Sequence, residues 1–171
     1  MLKFIFFLLF CCSSGFSQSV YDFAKNGDLQ AIKALDIKDQ KLFDLQNENG
    51  YTPLMLAAYY NKTDIILYLL KNKANINAKS PYGTALMAAV FKGHKQAALL
   101  LLEQGADPNI SDENKATALQ MAALFNHNDI AAYLLRFGAD VNAKDFRGNK
   151  ALDYAILKQN ETIIKLLNTY Q

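Results

Sequence analysis

The phrase Thr52-Pro53-Leu54-Met55-Leu56-Ala57-Ala58 returns, altered, three times along the chain. Its echoes are Thr84-Ala85-Leu86-Met87-Ala88-Ala89, Thr117-Ala118-Leu119-Gln120-Met121-Ala122-Ala123 and Lys150-Ala151-Leu152-Asp153-Tyr154-Ala155, so that Leu54, Leu86, Leu119 and Leu152 stand 32, 33 and 33 residues apart. Each copy reads as a helix start. A threonine hydroxyl can accept a hydrogen bond from a free amide of the first turn, and proline after it has a suitable φ and no amide to satisfy. The paired alanines leave room for a neighbouring helix to come close. Helices of this kind, at this interval, are built to stack on their own copies.

A second phrase runs between the first: Ala74-Asn75-Ile76-Asn77, then Gly105-Ala106-Asp107-Pro108-Asn109, then Gly138-Ala139-Asp140-Val141-Asn142-Ala143. Two helical patterns and one Gly/Asp/Asn turn in a period of about 33 residues signal a stacked repeat array. On these motifs the chain resembles ankyrin repeats. The resemblance implies an all-α solenoid of about five helix-turn-helix repeats joined by β-hairpin-like loops. Its expected division is a degenerate first repeat at 20–46, internal repeats at 47–79, 80–111 and 112–144, and a last repeat at 145–171.

Residues 1–17 read differently from the rest. Lys3 precedes the apolar run Phe4 to Cys12, followed by small and polar residues with Gly15 and Ser17 placed as cleavage requires. That is the pattern of a secretory signal peptide cut between Ser17 and Gln18, and the apolar run is too short to span a membrane. An alternative is a lipoprotein signal acylated at Cys11 or Cys12, for which Phe10 and Cys11 are poor matches to the small residue expected just before the cysteine. Both cysteines fall inside this segment, so the mature chain would have no disulfide and would rest on its apolar core. The formal charge of +2 and the absence of a basic cluster offer no signal for nucleic acid or a membrane surface. The expected location is the periplasm or the exterior of the cell.

Within the first repeat, Ala24-Lys25-Asn26-Gly27-Asp28 matches the end of one helix and its turn, and Leu29, Ile32 and Leu35 recur at helical spacing for a second. An end repeat has a neighbour on one side only, so an atypical, polar N-terminal cap is expected. Leu42, Phe43 and Leu45 should tuck beneath the next repeat. In repeat two, the helices should run from Pro53 to about Tyr60 and from about Asp64 to Lys71. The apolar faces of the second helices are expected from Ile65, Ile66, Leu69 and Leu70, then Ala98, Leu99, Leu101 and Leu102, then Ile130, Leu134 and Leu135, then Ile163, Ile164, Leu166 and Leu167. Asn160, Glu161, Thr162 and Lys165 should give the last repeat a polar outer surface.

Some positions depart from the family pattern. Ankyrin repeats usually follow Thr-Pro-Leu with a histidine tied to the threonine, where this chain has Met55, Met87, Gln120 and Asp153. That hydrogen bond is therefore expected in no repeat. Lys150 replaces the capping threonine, and Pro81-Tyr82-Gly83-Thr84 is one residue short at a hairpin tip.

The chain shows no glycine-rich phosphate loop, no paired histidines at metal-ligand spacing, no cysteine nucleophile and no serine in a strand-to-helix elbow, so no catalytic residue, metal or cofactor is expected. His94 and His127 are 33 residues apart, at equivalent turns. Equivalent positions of adjacent repeats stand about 10 Å apart, too far to share one zinc. Asp107, Asp140 and Asp145 recur in loop phase, where an Asp side chain closes turns.

What remains is a recognition surface. In the family, partners bind a concave face made of the hairpin tips and the ends of the first helices. Carried over by position, this implies Glu48, Asn49, Tyr51, Pro81, Tyr82, Glu113, Asn114, Ala116, Phe146, Arg147 and Asn149 at the tips. It implies Tyr59, Tyr60, Phe91, Lys92, Leu124, Phe125, Leu157 and Lys158 at the helix ends. Tyr51, Tyr59, Tyr60, Tyr82, Phe91, Lys92, Phe125, Phe146 and Arg147 are the expected partner-binding residues. The column Tyr59, Phe91, Leu124, Leu157 can equally be packing between adjacent helices, whereas large apolar side chains at exposed tips have little structural reason. The expected partner is another protein, bound by a monomer.

Overall fold

A computed structural model describes residues 20–35 and 40–170. The expected signal segment and its cleavage point lie outside the described residues. Helix α1 covers residues 20–26, and α2 is Leu29–Ala34. A 3-10 turn at Gln40–Phe43 leads to α3 (Pro53–Tyr59) and α4 (Thr63–Lys71), then α5 (Ala85–Phe91) and α6 (Lys95–Glu103), α7 (Ala118–Leu124) and α8 (Asn128–Arg136), and α9 (Ala151–Leu157) and α10 (Glu161–Asn168). The array has two layers. Helices α3, α5, α7 and α9 pack in one row, and α2, α4, α6, α8 and α10 in a second row behind it. No strand occurs among the described residues, and the hairpins carry one isolated bridge, between Ser80 and Gly83.

The repeated phrase does at the atomic level what its residues allow. The Thr52 hydroxyl accepts from the Met55 amide at 3.2 Å, and the Thr84 hydroxyl from the Met87 amide at 3.4 Å. Repeat four departs from expectation. Gln120 occupies the histidine position, and its Oε1 accepts from the Thr117 amide at 2.7 Å and the Thr117 hydroxyl at 3.3 Å. The expectation that no repeat ties its threonine to this position is wrong there, because an amide side chain has the acceptor that Met55 and Met87 lack. In the last repeat the Asp153 carboxylate accepts from the Lys150 amide at 2.7 Å, so the helix start is held from inside the helix although the threonine is gone.

Alanines 57, 58, 89, 97, 98, 122, 123, 131 and 155 are all fully buried, so facing helices meet nearly backbone to backbone. Larger side chains fill the layer between the rows, among them Leu54, Ile66, Leu69, Leu86, Leu101, Leu119, Ile130 and Leu134. In α6 the buried alanine at 97 replaces Leu99, which was expected to face the core and is only half-buried. Four consecutive leucines leave the face undecided by pattern, and the neighbours α4 and α8 decide it. Phe43 tucks in as expected, 2 % exposed and edge-on to Tyr68, but Leu45 is 47 % exposed. Its backbone is held instead of its side chain, the carbonyl accepting from the Tyr21 hydroxyl at 3.0 Å.

Turns bind the repeats together as well as helices do. Asp44 Oδ1 accepts from the Asn75 amide at 2.7 Å, Asn77 Oδ1 from the Asp107 amide at 3.0 Å, and Asn109 Oδ1 from the Asp140 amide at 2.8 Å. The recurrent Asn and Asp of the second phrase therefore form a ladder from one repeat to the next, beyond closing their own turns.

The residues before the second helices pack on the repeat before. His94 Nε2 lies 3.0 Å from the Tyr59 carbonyl oxygen. His127 sits over Gly93, where φ is +69° and a Cβ would come within 2.6 Å of the ring, so a side chain at that position would have to displace the imidazole. Its Nε2 is buried without a hydrogen-bond partner, and burial lowers the pKa of His127 below its ordinary value. A depressed histidine stabilises the fold while neutral. That contribution is whole above the unfolded-state value of about 6.5 and is lost as pH falls below it toward the folded value. The urea midpoint is thus expected to fall more in the wild type than in His127→Asn between about pH 7.5 and about pH 5.5. Parallel losses in the two proteins would remove His127 from this role.

Candidate functional site

The hairpin tips are shaped by one side chain each. Asn47, Asp112 and Asp145 use Oδ1 to accept from the amides two and four residues on, at 2.8–3.0 Å, namely Asn49 and Tyr51, Asn114 and Ala116, and Arg147 and Asn149. The tip that is one residue short closes differently. Ser80 and Gly83 exchange backbone bonds of 2.8 and 3.0 Å, and Ser80 Oγ accepts from the Tyr82 amide at 3.1 Å. Adjacent tips are bonded edge to edge, the Glu113 amide to the Pro81 carbonyl at 3.3 Å and the Phe146 amide to the Asn114 carbonyl at 3.0 Å. This register fixes where each tip side chain stands over the groove.

Between the tips and the first helices run two adjoining compartments. The first, about 410 Å³, lies among Tyr51, Tyr59, Tyr82, Met87, Phe91 and Asp112. Ala88 lines it too, at the position where the other repeats carry Leu56, Met121 and Tyr154, and its small side chain leaves the space open. The second, about 490 Å³, lies among Leu124, Phe125, Phe146, Arg147, Tyr154 and Leu157. Phe91, Asp112, Asn114 and Met121 line both and form the ridge between them.

Seven of the nine expected binding residues line these compartments: Tyr51, Tyr59, Tyr82, Phe91, Phe125, Phe146 and Arg147. Tyr60 and Lys92 line neither. Tyr60 packs against Tyr59 at 5.1 Å, and the Lys92 ammonium lies 5.1 Å from the centre of the Tyr59 ring, so both stand on the rim. Tyr82 and Phe146 are 62 % and 65 % exposed, as tip positions should be. The expected column is continuous only in part. Tyr59 stacks on Phe91 at 6.4 Å, but Phe91 then meets Phe125 edge-on at 5.3 Å, and Leu157 is 70 % exposed. Phe125 enters the line because its ring reaches back one repeat, a direction spacing does not reveal.

Two carboxylates face the groove with different hydrogen-bond partners. Burial would raise the pKa of Asp145, but hydrogen bonds from the Tyr154 hydroxyl and the Asn149 and Arg147 amides, with the Arg147 charge, outweigh it and hold Asp145 below the usual range. The same contact, with burial, raises the Tyr154 hydroxyl. Tyr51, stacked on Tyr82 at 5.3 Å, is raised by burial and then by Tyr82 and Tyr59. Asp112 is the equivalent of Asp145, but the residue equivalent to Tyr154 is Met121, which has no proton to give. Asp112, Ala88, Met121 and Tyr154 were absent from the residues expected at the binding face. A side chain's accessibility there depends on what the adjoining repeat supplies, which the repeat pattern itself does not carry.

Among the described residues no group of three or more His, Cys, Asp or Glu side chains could hold a metal ion, and no helix is long and apolar enough to cross a membrane. A family model described as ankyrin repeats in three copies matches residues 20–112, and one described as ankyrin repeats in many copies matches residues 99–155. The chain is 35% identical over 100 residues to ankyrin repeat and SAM domain-containing protein 6 of Rattus norvegicus, a match that covers 57% of this chain and 11% of that protein. It is 36% identical over 93 residues to ankyrin repeat and SOCS box protein 2 of Rattus norvegicus, covering 53% of this chain and 14% of that protein. It is also 35% identical over 99 residues to the probable E3 ubiquitin-protein ligase XBOS34 of Oryza sativa subsp. japonica, covering 56% and 19%. The chain thus spans under a fifth of the length of these relatives.

Proposed function

The chain belongs to the ankyrin-repeat family, and from that premise we propose that it is a module that binds a partner protein through the groove between its hairpin tips and first helices. One observation carries the reading: Tyr82, Phe146, Phe91 and Phe125 are 62, 65, 49 and 40 % exposed along two adjoining compartments on a single face. Exposed aromatic side chains that border a concavity are typical of interfaces, where such residues contribute most of the binding energy. The matches cover 11–19% of the relatives' length, and their SAM, SOCS-box and ligase designations do not enter the proposal.

The test is affinity capture from native extract with tagged wild-type chain beside a Tyr82→Ala, Phe146→Ala double variant, read by mass spectrometry. Both side chains are mostly exposed, so the double variant is expected to melt within about 4 °C of the wild type. Proteins held by the wild type are expected to be lost by the variant. The same proteins captured by both would place binding elsewhere on the molecule.

The apolar run Phe4 to Cys12 supports export, to the periplasm or out of the cell. Intact-mass measurement of the chain recovered from cells tests this. A mass beginning at Gln18 agrees with cleavage, whereas an acylated species retaining Cys11 or Cys12 would favour a lipid-anchored tether.

A further inference from the structure

The geometry points to a partner segment that presents an arginine or lysine side chain to the first compartment, with the cationic group against Asp112; the inference rests on the reading of the groove as a protein-binding face. Asp112 is the one charged residue lining that compartment among those described. Its Oδ1 is committed to the Asn114 and Ala116 amides, at 2.8 and 2.9 Å. Oδ2 has no hydrogen bond or ion pair among the described residues. In the next repeat the equivalent oxygen of Asp145 takes the Tyr154 hydroxyl, whereas beside Asp112 the equivalent side chain is Met121. The same carboxylate is thus satisfied from within in one repeat and left for an outside donor in the other.

The compartment suits a cation on an apolar stem. Tyr51, Tyr59, Tyr82 and Phe91 line it with aromatic side chains, which attract a cation, while Met87 and Met121 can pack on its methylene stem. A guanidinium is weakly hydrated and stacks on aromatic rings, so it loses little on entering. The protein's own nearby cations do not fill the place. Lys92 rests over Tyr59 and Lys115 over Phe146, at 5.1 and 5.0 Å from the ring centres, and neither lines a compartment, while Arg147 lines the second compartment but not the first.

Two substitutions test the carboxylate, and the first alters its charge without altering the compartment's shape. Asp112→Asn keeps the turn, because Asn47 already builds the same turn with the same two amide bonds. Met121→Tyr sets a hydroxyl beside Asp112 as Tyr154 stands beside Asp145, which should satisfy the carboxylate internally. A phage-displayed library of random dodecapeptides is selected on the full wild-type chain, and the winners are synthesised and titrated against each variant. Enrichment of arginine or lysine is expected at one position of the winners, with affinity weakened about tenfold or more by Asp112→Asn, as loss of a charge-assisted hydrogen bond requires. A similar loss is expected for Met121→Tyr. Unchanged thermal midpoints in both variants are part of the expected result.

Winners without a basic position, no winners at all, or affinities indifferent to Asp112→Asn overturn the inference. The wider reading is separated by the Tyr82→Ala, Phe146→Ala variant. Peptides indifferent to Asp112→Asn but lost by that double variant leave the groove as a binding face without this specificity. Peptides indifferent to both remove the groove reading as well.

Discussion

Leu134→Ala is expected to cost the fold about 3–5 kcal/mol, at the upper end for a buried leucine truncated to alanine. Leu134 is fully buried in α8, which packs against α6 on one side, α10 on the other and α7 in the row in front. A side chain enclosed from three directions leaves a cavity that cannot collapse, because closing it would pull one repeat out of register with both neighbours. Cavity volume then adds to the lost transfer free energy. In a stacked array each repeat is held by its neighbours' interfaces, so the loss is felt on both sides. Urea unfolding should show a lower midpoint, and the melting temperature should fall by roughly 6–20 °C for a chain of this size. Leu67 lies on α4, two helices away in the same row, but is 45 % exposed, and Leu67→Ala should stay within about 0.5 kcal/mol of wild type. Equal effects at the two leucines would mean that the second-row helices do not share the core described above.

Features set within one repeat were legible in the sequence. The start of α3 at Pro53 and the end of α4 at Lys71 fall where the cap and the apolar pattern put them, because a capping threonine and a helical stripe are local signals. Exposure of Tyr82 and Phe146 was legible for the same reason, since a hairpin tip projects whatever the neighbours do. Features set between repeats were not. Leu99 gives way to Ala97 in the core because α4 and α8 choose the face of α6. Ala88 reads as one more small helix residue, yet the absence of a larger side chain there opens a compartment. Asp112 and Asp145 look alike in the sequence and differ in the groove because Met121 stands in the place of Tyr154. A comparison of columns across the repeats, taken position by position, would have exposed that difference.

Gln120→Met is the second large effect, expected at about 2–4 kcal/mol, from the cost of leaving buried polar groups unpaired. The exchange conserves shape, since Met55 and Met87 occupy the equivalent positions at 2 % and 1 % exposure, so a cavity contributes little. What is lost is bonding. Gln120 Oε1 holds the Thr117 amide, and Nε2 donates to the Ala143 carbonyl at 3.1 Å and the Asn149 carbonyl at 2.7 Å. A thioether can replace none of these bonds. Water can reach the half-buried Ala143 and Asn149, which keeps the expected cost below the sum for three orphaned groups. The consequence for the groove is local. Ala143 and Asn149 flank the hairpin that carries Phe146 and Arg147, so releasing them should loosen the second compartment and leave the Tyr51–Tyr82 stack of the first in place. Hydrogen exchange should therefore quicken at Arg147 and Asn149, whose amides are bonded to Asp145, before it quickens at Tyr82. A loss of stability under about 0.5 kcal/mol, or uniform quickening at both tips, would show that the glutamine does not tie one repeat to the next.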